Sequence, residues 1–303
     1  MNSLAPIVLF TYNRLDHTKQ TIEALAHNNL AKESDLYVFS DGAGSKDAEE
    51  DVQKVRNYLK NITGFKKVEL AFSKQNKGLA RSIIDGVSKV FENNDRVIVL
   101  EDDLETSPHF LQYMNDALDY YKPDEIWSVA GYTPAIQIPE TYTYNTYLVH
   151  RNCSWGWATW KQNWQKTDWN VKDFQSFFKN KSNHQKFNRG GNDLAIMLLK
   201  QQQNIIHSWS IRFNYAAFKH NLPTVYPCTS LVKNQGVDGS GTNMKSSKKY
   251  HTQVNQSPID TVEFCPSDYF DTTIEDNFKG FYNTSLFRRV INYFKIKKYL
   301  MSL

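Results

Sequence analysis

The sequence is short of several things, and each shortage removes a class of protein. It has three cysteines in 303 residues: Cys153, Cys228 and Cys265. An odd, widely spaced set matches neither a zinc-ligand pattern nor a disulfide framework, so a reducing cytoplasm is the expected compartment. No apolar run reaches the roughly 18 residues that a membrane-spanning helix needs. The opening MNSLAPIVLFTYNR has no basic leader and no long apolar stretch. It reads as a first strand rather than a signal peptide. No Gly-x-x-x-x-Gly-Lys-Ser/Thr and no Gly-x-Gly-x-x-Gly follows that strand, which counts against P-loop enzymes and dinucleotide dehydrogenases. The net charge of +4 is too mild to argue for nucleic acid, and no such partner is expected. Internal repeats and disordered linkers are also missing.

What is present is an alternation. PIVLFTY (Pro6 to Tyr12) is an apolar run of strand length, and LDHTKQTIEALAHN after it puts Ile22, Leu25 and Ala26 on one helical face. DLYVFSD, KKVELAFS and RVIVLEDD repeat the strand signal. Helical spacings of Val52, Val55, Leu59 and Ile62, and of Leu79, Ile83, Val87 and Val90, lie between them. Strands alternating with helices predict an α/β fold with a mostly parallel, Rossmann-like sheet covered on both faces. PHFLQYMNDALDYY is a further amphipathic helix, and IWSVAGYT and TYLVHRN are further strands. YPCTSLVKNQGVDGSGTN reads as a long loop.

Ligands of such sheets bind at the carboxyl ends of the strands. Four chemistry-bearing stretches sit there: TYNR with Thr11 and Arg14, SDG with Asp41, SKQNKGLARS with Asn76, Lys77 and Arg81, and EDD with Glu101, Asp102 and Asp103. Adjacent carboxylates at a strand end can hold a divalent cation that bridges phosphate oxygens. The buried strand before them favours that reading over a solvated turn. Arg14 and Arg81 can grip phosphate as rigid forks, and Asp41 can accept hydrogen bonds from a base or ribose. Together the residue types suit a diphosphate-linked nucleotide.

Aromatics make up 14% of the chain, which means either a large core or flat platforms for sugars or bases. Five tryptophans crowd Trp155 to Trp169, and Trp155 and Trp157, around Gly156, are candidates to wall a sugar. Asp193 in GGNDLA is either a helix N-cap or a carboxylate kept ionised at a helix N-terminus for proton abstraction. Asp168 and Asp238 are the reserves for that role. The loop Lys233 to Asn243, with Gly236, Gly239 and Gly241, is either a hinged lid or an ordinary loop.

The stretch VIVLEDDLETSPHFLQYMNDAL…IWSVAGY resembles the N-acetylglucosaminyltransferase I type of glycosyltransferase, of the GT-A fold. SWGWATW, NDLAIMLL and the Pro227 to Asn243 loop follow in the order of that family's later segments, so the resemblance runs over about residues 5 to 245. It implies an inverting transfer of N-acetylglucosamine from a UDP-sugar to a glycan or lipid-linked glycan, aided by a divalent ion, manganese or else magnesium. It places Asp103 directly on the metal, Asp102 on the ribose or the metal's water shell, and Glu101 behind them. It puts Arg14 and Asp41 on the nucleotide, with Asp41 at the uracil. Asp193 is the candidate base, although GGNDLA lacks the tryptophans that flank the family's element.

The expected organisation is one transferase domain over residues 1–285, with a nucleotide-sugar half (1–133) and an acceptor half (134–285). Residues 286–303 form a basic amphipathic helix that either docks on the body or lies on the inner face of a membrane, as enzymes of cell-surface polysaccharide synthesis can. Two rival functions remain: a sugar-nucleotide nucleotidyltransferase, which would want a glycine-rich basic loop after the first strand, and a non-catalytic carbohydrate-binding protein.

Overall fold

The structure is a computed structural model that describes residues 3–238, 248–250, 252–254 and 261–301. The chain begins with β1 (Ile7–Thr11), α1 (Leu15–Ala26), β2 (Asp35–Ser40), α2 (Glu49–Leu59), β3 (Lys67–Phe72), α3 (Leu79–Val90) and β4 (Arg96–Glu101). Then come β5 (Leu104–Thr106), α4 (Phe110–Tyr120), β6 (Ser128–Ala130), β7 (Thr146–Val149), β8 (Trp157–Trp160) and α5 (Lys161–Gln165). A helical stretch follows: α6 (Phe174–Lys179), α7 (Lys181–Phe187), α8 (Leu194–Gln202) and α9 (Trp209–His220). The remaining elements are β9 (Thr224–Pro227), β10 (Val232–Asn234), α10 (Thr272–Tyr282) and α11 (Leu286–Leu300).

Among the described residues, eight strands form one sheet in the order β3-β2-β1-β4-β8-β6-β9-β7. The first four are parallel, as the βα alternation requires. β8 then runs antiparallel to both β4 and β6, so the sheet is mixed, with α/β layering on both faces. β1 is buried at every position and alternates its side chains between two cores. Ile7 and Leu9 pack with Ile22 and Leu25 of α1, whereas Val8 and Phe10 pack with Ile83 and Val87 of α3. β3 departs from the expectation of a strand buried on both faces. Lys67 and Glu69 break its apolar run, and it is a largely exposed edge, where charges discourage pairing with other chains.

The Trp-rich stretch is the larger departure. It supplies β8 in the middle of the sheet. Trp157 is 1% exposed and stacks on Trp209 with ring centroids 4.7 Å apart. Trp164 and Phe213 close the same cluster. The region expected to be loop around Pro227 also contains two short strands, β9 in the main sheet and β10 paired with β5. Gly239 and Gly241 of the candidate lid lie outside the described residues.

Candidate functional site

The C-terminal ends of β1 and β4 are neighbours, since Phe10 pairs with Glu101. The residues that follow each strand therefore meet. The Nη2 of Arg14 donates to Asp102 Oδ1 at 2.5 Å and to Asp103 Oδ2 at 2.8 Å. The Tyr12 N–H donates to the other Asp102 oxygen at 3.3 Å. The backbone of the triplet is pinned as well: Thr21 Oγ1 of α1 donates to the Asp102 carbonyl and accepts from the Leu104 N–H. A single guanidinium thus faces three carboxylates. Burial, then repulsion from Asp103 and Asp102, pushes the Glu101 carboxyl well above its usual range, against the pull of Arg14. Burial also raises Asp102, and Arg14 only partly offsets it. Burial works against the Arg14 charge, but the two aspartates outweigh it and hold the group protonated.

The β5–β10 ribbon closes one side of this cluster. The Gln235 N–H donates to the Asp103 carbonyl at 2.7 Å, and Glu105 accepts from Lys233 and Gln235 side chains at 3.1 Å each. A Cβ at Gly236 would overlap the Asp103 carboxylate, so the loop can pass this close only as glycine. Around the cluster Thr11 Oγ1, Arg14 Nη1, Asn234 Oδ1 and Gln235 Oε1 are buried without a hydrogen-bond partner within the protein. Buried polar atoms without partners are costly in a finished core and common where a ligand supplies the partner.

SDG and SKQNKG form a second junction. Asp41 accepts from the N–H groups of Gly42, Lys77 and Gly78 at 2.9–3.1 Å, with the Lys77 N–H shared between its two oxygens. Gly78 reaches this arrangement at φ 74°, a region that favours glycine. Asn76 Nδ2 donates to the Gly42 carbonyl at 2.8 Å, and the Tyr12 hydroxyl accepts from Gly44 N–H, which ties the junction to the Arg14 loop. Lys77 and Arg81 share one carboxylate partner. Both pair with Asp85 on α3, and Arg81 is 69% exposed. The sequence order brings these stretches to one sheet edge, but the Arg14 and Asp41 groups do different work there.

Asp193 precedes α8 as its N-cap residue, yet its side chain accepts nothing from the helix. Asn188 Oδ1 takes the Ala195 N–H instead. Asp193 is gripped by Arg151, Nη1 to Oδ1 at 2.8 Å and Nη2 to Oδ2 at 3.0 Å. The Arg151 guanidinium also stacks 3.9 Å above the Tyr282 ring. The double glycine makes room for it, because a Cβ on Gly191 (φ 138°) would come within 2.8 Å of Arg151 Nη1. Burial opposes the Arg151 charge, and Asp193 overrides it and raises the pKa. Sequence reasoning missed Arg151; the glycines before Asp193 were the only trace of it.

Trp155 is half-buried, edge-on to Tyr132 at 4.6 Å and to Tyr250 at 5.5 Å, near the Arg151–Asp193 pair. It can offer a flat face there. Trp157 cannot, being sealed in the core, so the sugar-wall expectation is corrected for that residue. Cys153 lies within electrostatic reach of Arg151 and Glu101. Burial pushes its thiol up to about 12, with Arg151 pulling it down and Glu101 pushing it further. Asp168 lies in a surface turn and accepts from the Asn170 and Lys172 N–H groups. The side chain of Asp238 lies outside the described residues.

Asp102 and Asp103 offer hard oxygen donors, the type that magnesium and manganese prefer. Among the described residues no group of three or more His, Cys, Asp or Glu side chains forms a metal site. Two carboxylates fit such an ion as a partial set whose other positions belong to phosphate and water. Arg14 takes one oxygen of each here, so a divalent ion bound through those two atoms would have to displace it.

No curated protein matches the chain in sequence. Among solved structures, S. aureus TarS 1-349 is 11% identical over 77% of this chain and 60% of its own, with a TM-score of 0.42. A longer S. aureus TarS chain is 15% identical over 48% of this chain and 24% of its own, at 0.32. A cytidylyltransferase from Leptospira borgpetersenii serovar Hardjo-bovis is 14% identical over 55% and 63%, at 0.33. The chain spans less than two thirds of each of them, and likenesses of this degree decide nothing further. The family model for glycosyl transferase family 2 matches residues 7–184, which takes in β1 through β8 and the whole Arg14–Asp102–Asp103 cluster. With more than half of its length matched, the chain belongs to glycosyl transferase family 2.

Proposed function

We propose that the protein is an inverting glycosyltransferase that moves a sugar, N-acetylglucosamine first among candidates, from a UDP donor to a hydroxyl of a glycan or lipid-linked glycan. The observation that carries this reading is the surplus of carboxylate around Arg14 at the ends of β1 and β4. A diphosphate with its counter-cation supplies both things the cluster lacks: positive charge for Asp102 and Asp103, and an anionic partner for the released guanidinium. Asp103 and Asp102 would hold a manganese or magnesium ion, which neutralises charge on the departing diphosphate when bound.

The protein's own residues do the rest. Arg14 orients the diphosphate as a fork, and the Asp41-pinned junction shapes the floor under the nucleoside. The acceptor oxygen attacks the anomeric carbon from the face opposite the diphosphate. The carbon–phosphate-oxygen bond breaks, its electron pair stays on the diphosphate, and the hydroxyl proton passes to a carboxylate. Asp193 is the candidate for that proton. Arg151 holds both of its oxygens and fixes its direction.

The decisive experiment is a panel of nucleotide sugars screened by thermal shift with and without manganese, followed by donor hydrolysis without acceptor. Manganese-dependent stabilisation by UDP-N-acetylglucosamine and slow metal-dependent release of UDP are expected. Stabilisation by no nucleotide sugar at all would reject the transferase reading. Asp193→Asn should retain the donor-induced shift and lose transfer; full transfer in that variant would move the base elsewhere.

A further inference from the structure

Helix α11 is docked on one side and open on the other. Asn292 is buried, and Ile296, Tyr299 and Leu300 lie against the α6–α8 cluster. The Tyr299 ring sits 5.7 Å from Phe174 and 5.5 Å from Phe178. Ser285 caps the helix by accepting from the Arg288 N–H. The outer apolar side chains face water: Leu286 (75% exposed), Phe287 (77%), Val290 (55%), Tyr293 (61%), Phe294 (60%) and, just past the helix, Met301 (73%). These are six of the eleven large exposed hydrophobics among the described residues, so the exposure is concentrated rather than scattered. Positions 287, 290, 294 and 301 fall three, seven and fourteen residues along, which places them in one stripe.

The charge is concentrated in the same place. Residues 286–300 hold Arg288, Arg289, Lys295, Lys297 and Lys298, all exposed, and no acidic residue. The other 288 residues hold 31 basic and 32 acidic side chains. The net positive charge of the chain is therefore the charge of this one helix.

Packing on the body does not need the outer stripe, because α11 already buries its opposite face. A second copy of the chain would cover the stripe but would bring two sets of five cations together about a two-fold axis. Nucleic acid would meet the cations and leave six apolar side chains in water. Anionic lipid meets both demands: the acyl boundary takes Phe287, Val290 and Phe294, and the headgroups take the lysines and arginines. We propose that α11 seats the protein on an anionic membrane surface through its outer apolar stripe and flanking cations.

The test uses the full chain in co-sedimentation with vesicles of phosphatidylcholine alone and of phosphatidylcholine mixed with phosphatidylglycerol. Partition onto the mixed vesicles should be at least about tenfold stronger and should weaken as salt rises. A Phe287→Ser/Phe294→Ser variant should lose binding by about tenfold or more with an unchanged melting temperature, since both rings are already in water. Lys295→Glu/Lys297→Glu/Lys298→Glu should lose the preference for anionic vesicles. Equal partition onto both vesicle types, or binding indifferent to these variants, overturns the proposal. So does a dimer in sedimentation that the phenylalanine variant dissolves and that binds no vesicles.

Discussion

Two arginine–aspartate clusters sit in one chain and differ in their accounts of charge. Around Arg14, one guanidinium serves Asp102 and Asp103, with Glu101 beside them. At Arg151, one guanidinium meets both oxygens of one carboxylate and lies over the Tyr282 ring. The first cluster has negative charge to spare, four buried polar atoms without partners around it, and a glycine loop pressed against Asp103. The second matches one guanidinium to one carboxylate, with Lys249 at longer range. Surplus charge at strand ends invites a ligand, whereas a matched bidentate pair braces the chain around it. The contrast implies that removing the guanidinium should hurt folding at the balanced cluster, whereas removing a carboxylate should hurt function at the surplus one.

The largest expected effect is at the brace. Arg151→Met takes the bidentate partner from the largely buried Asp193, leaving Lys249 at longer range, and should cost about 3–5 kcal/mol in urea unfolding. A loss under 1 kcal/mol would mean that the pair is not a brace, and the comparison would fail. Next comes Asp103→Asn, which should reduce transfer by on the order of 10²–10³-fold while leaving stability level or slightly higher, because one of three crowded carboxylates is gone. Destabilisation as large as that of Arg151→Met would make the triplet structural. Third, Arg14→Gln frees the Asp102 and Asp103 oxygens. Calorimetry should then show manganese binding without nucleotide roughly tenfold tighter, and UDP binding weaker, if Arg14 and the ion share those atoms. Unchanged metal affinity would separate the two cations.

The smallest effect concerns His150, next to the brace. Burial, then repulsion from Arg189, lowers its pKa to about 3. An unfolded histidine titrates near 6.5, so between about 6.5 and 3 the unfolded chain binds a proton that the folded one refuses. Stability from this group is present above that window and is lost as pH falls through it. His150→Phe, which keeps a ring against Phe270, should flatten the decline in urea midpoint between pH 7 and pH 4.5. An identical decline in the variant would assign the pH dependence to other groups.

The first four strands and their helices were readable because each rests on local periodicity: β1 needs only its own apolar run and α3 only its spacing of Leu79, Ile83, Val87 and Val90. The EDD triplet was readable for the same reason, standing directly after a buried strand. β8 was not, because Trp157 to Trp160 is short, buried on both faces, and defined by pairing with β4 some sixty residues earlier. β9 and β10 were too short for any period to register. Lys77 and Arg81 carried the right chemistry at the right strand end, but Asp85, within reach on α3, claimed them.

By itself the sequence determined the α/β alternation, the edge of the sheet at which charge gathers, and a chain whose basic excess lies in its last helix. Those features depend on neighbours a few residues apart. The tertiary structure alone decided which cation each carboxylate meets. Arg14 reaches Asp102 across 88 positions, and Arg151 reaches Asp193 across 42. Partners so far apart in the chain are chosen by sheet order and by close glycine packing, which no local pattern encodes.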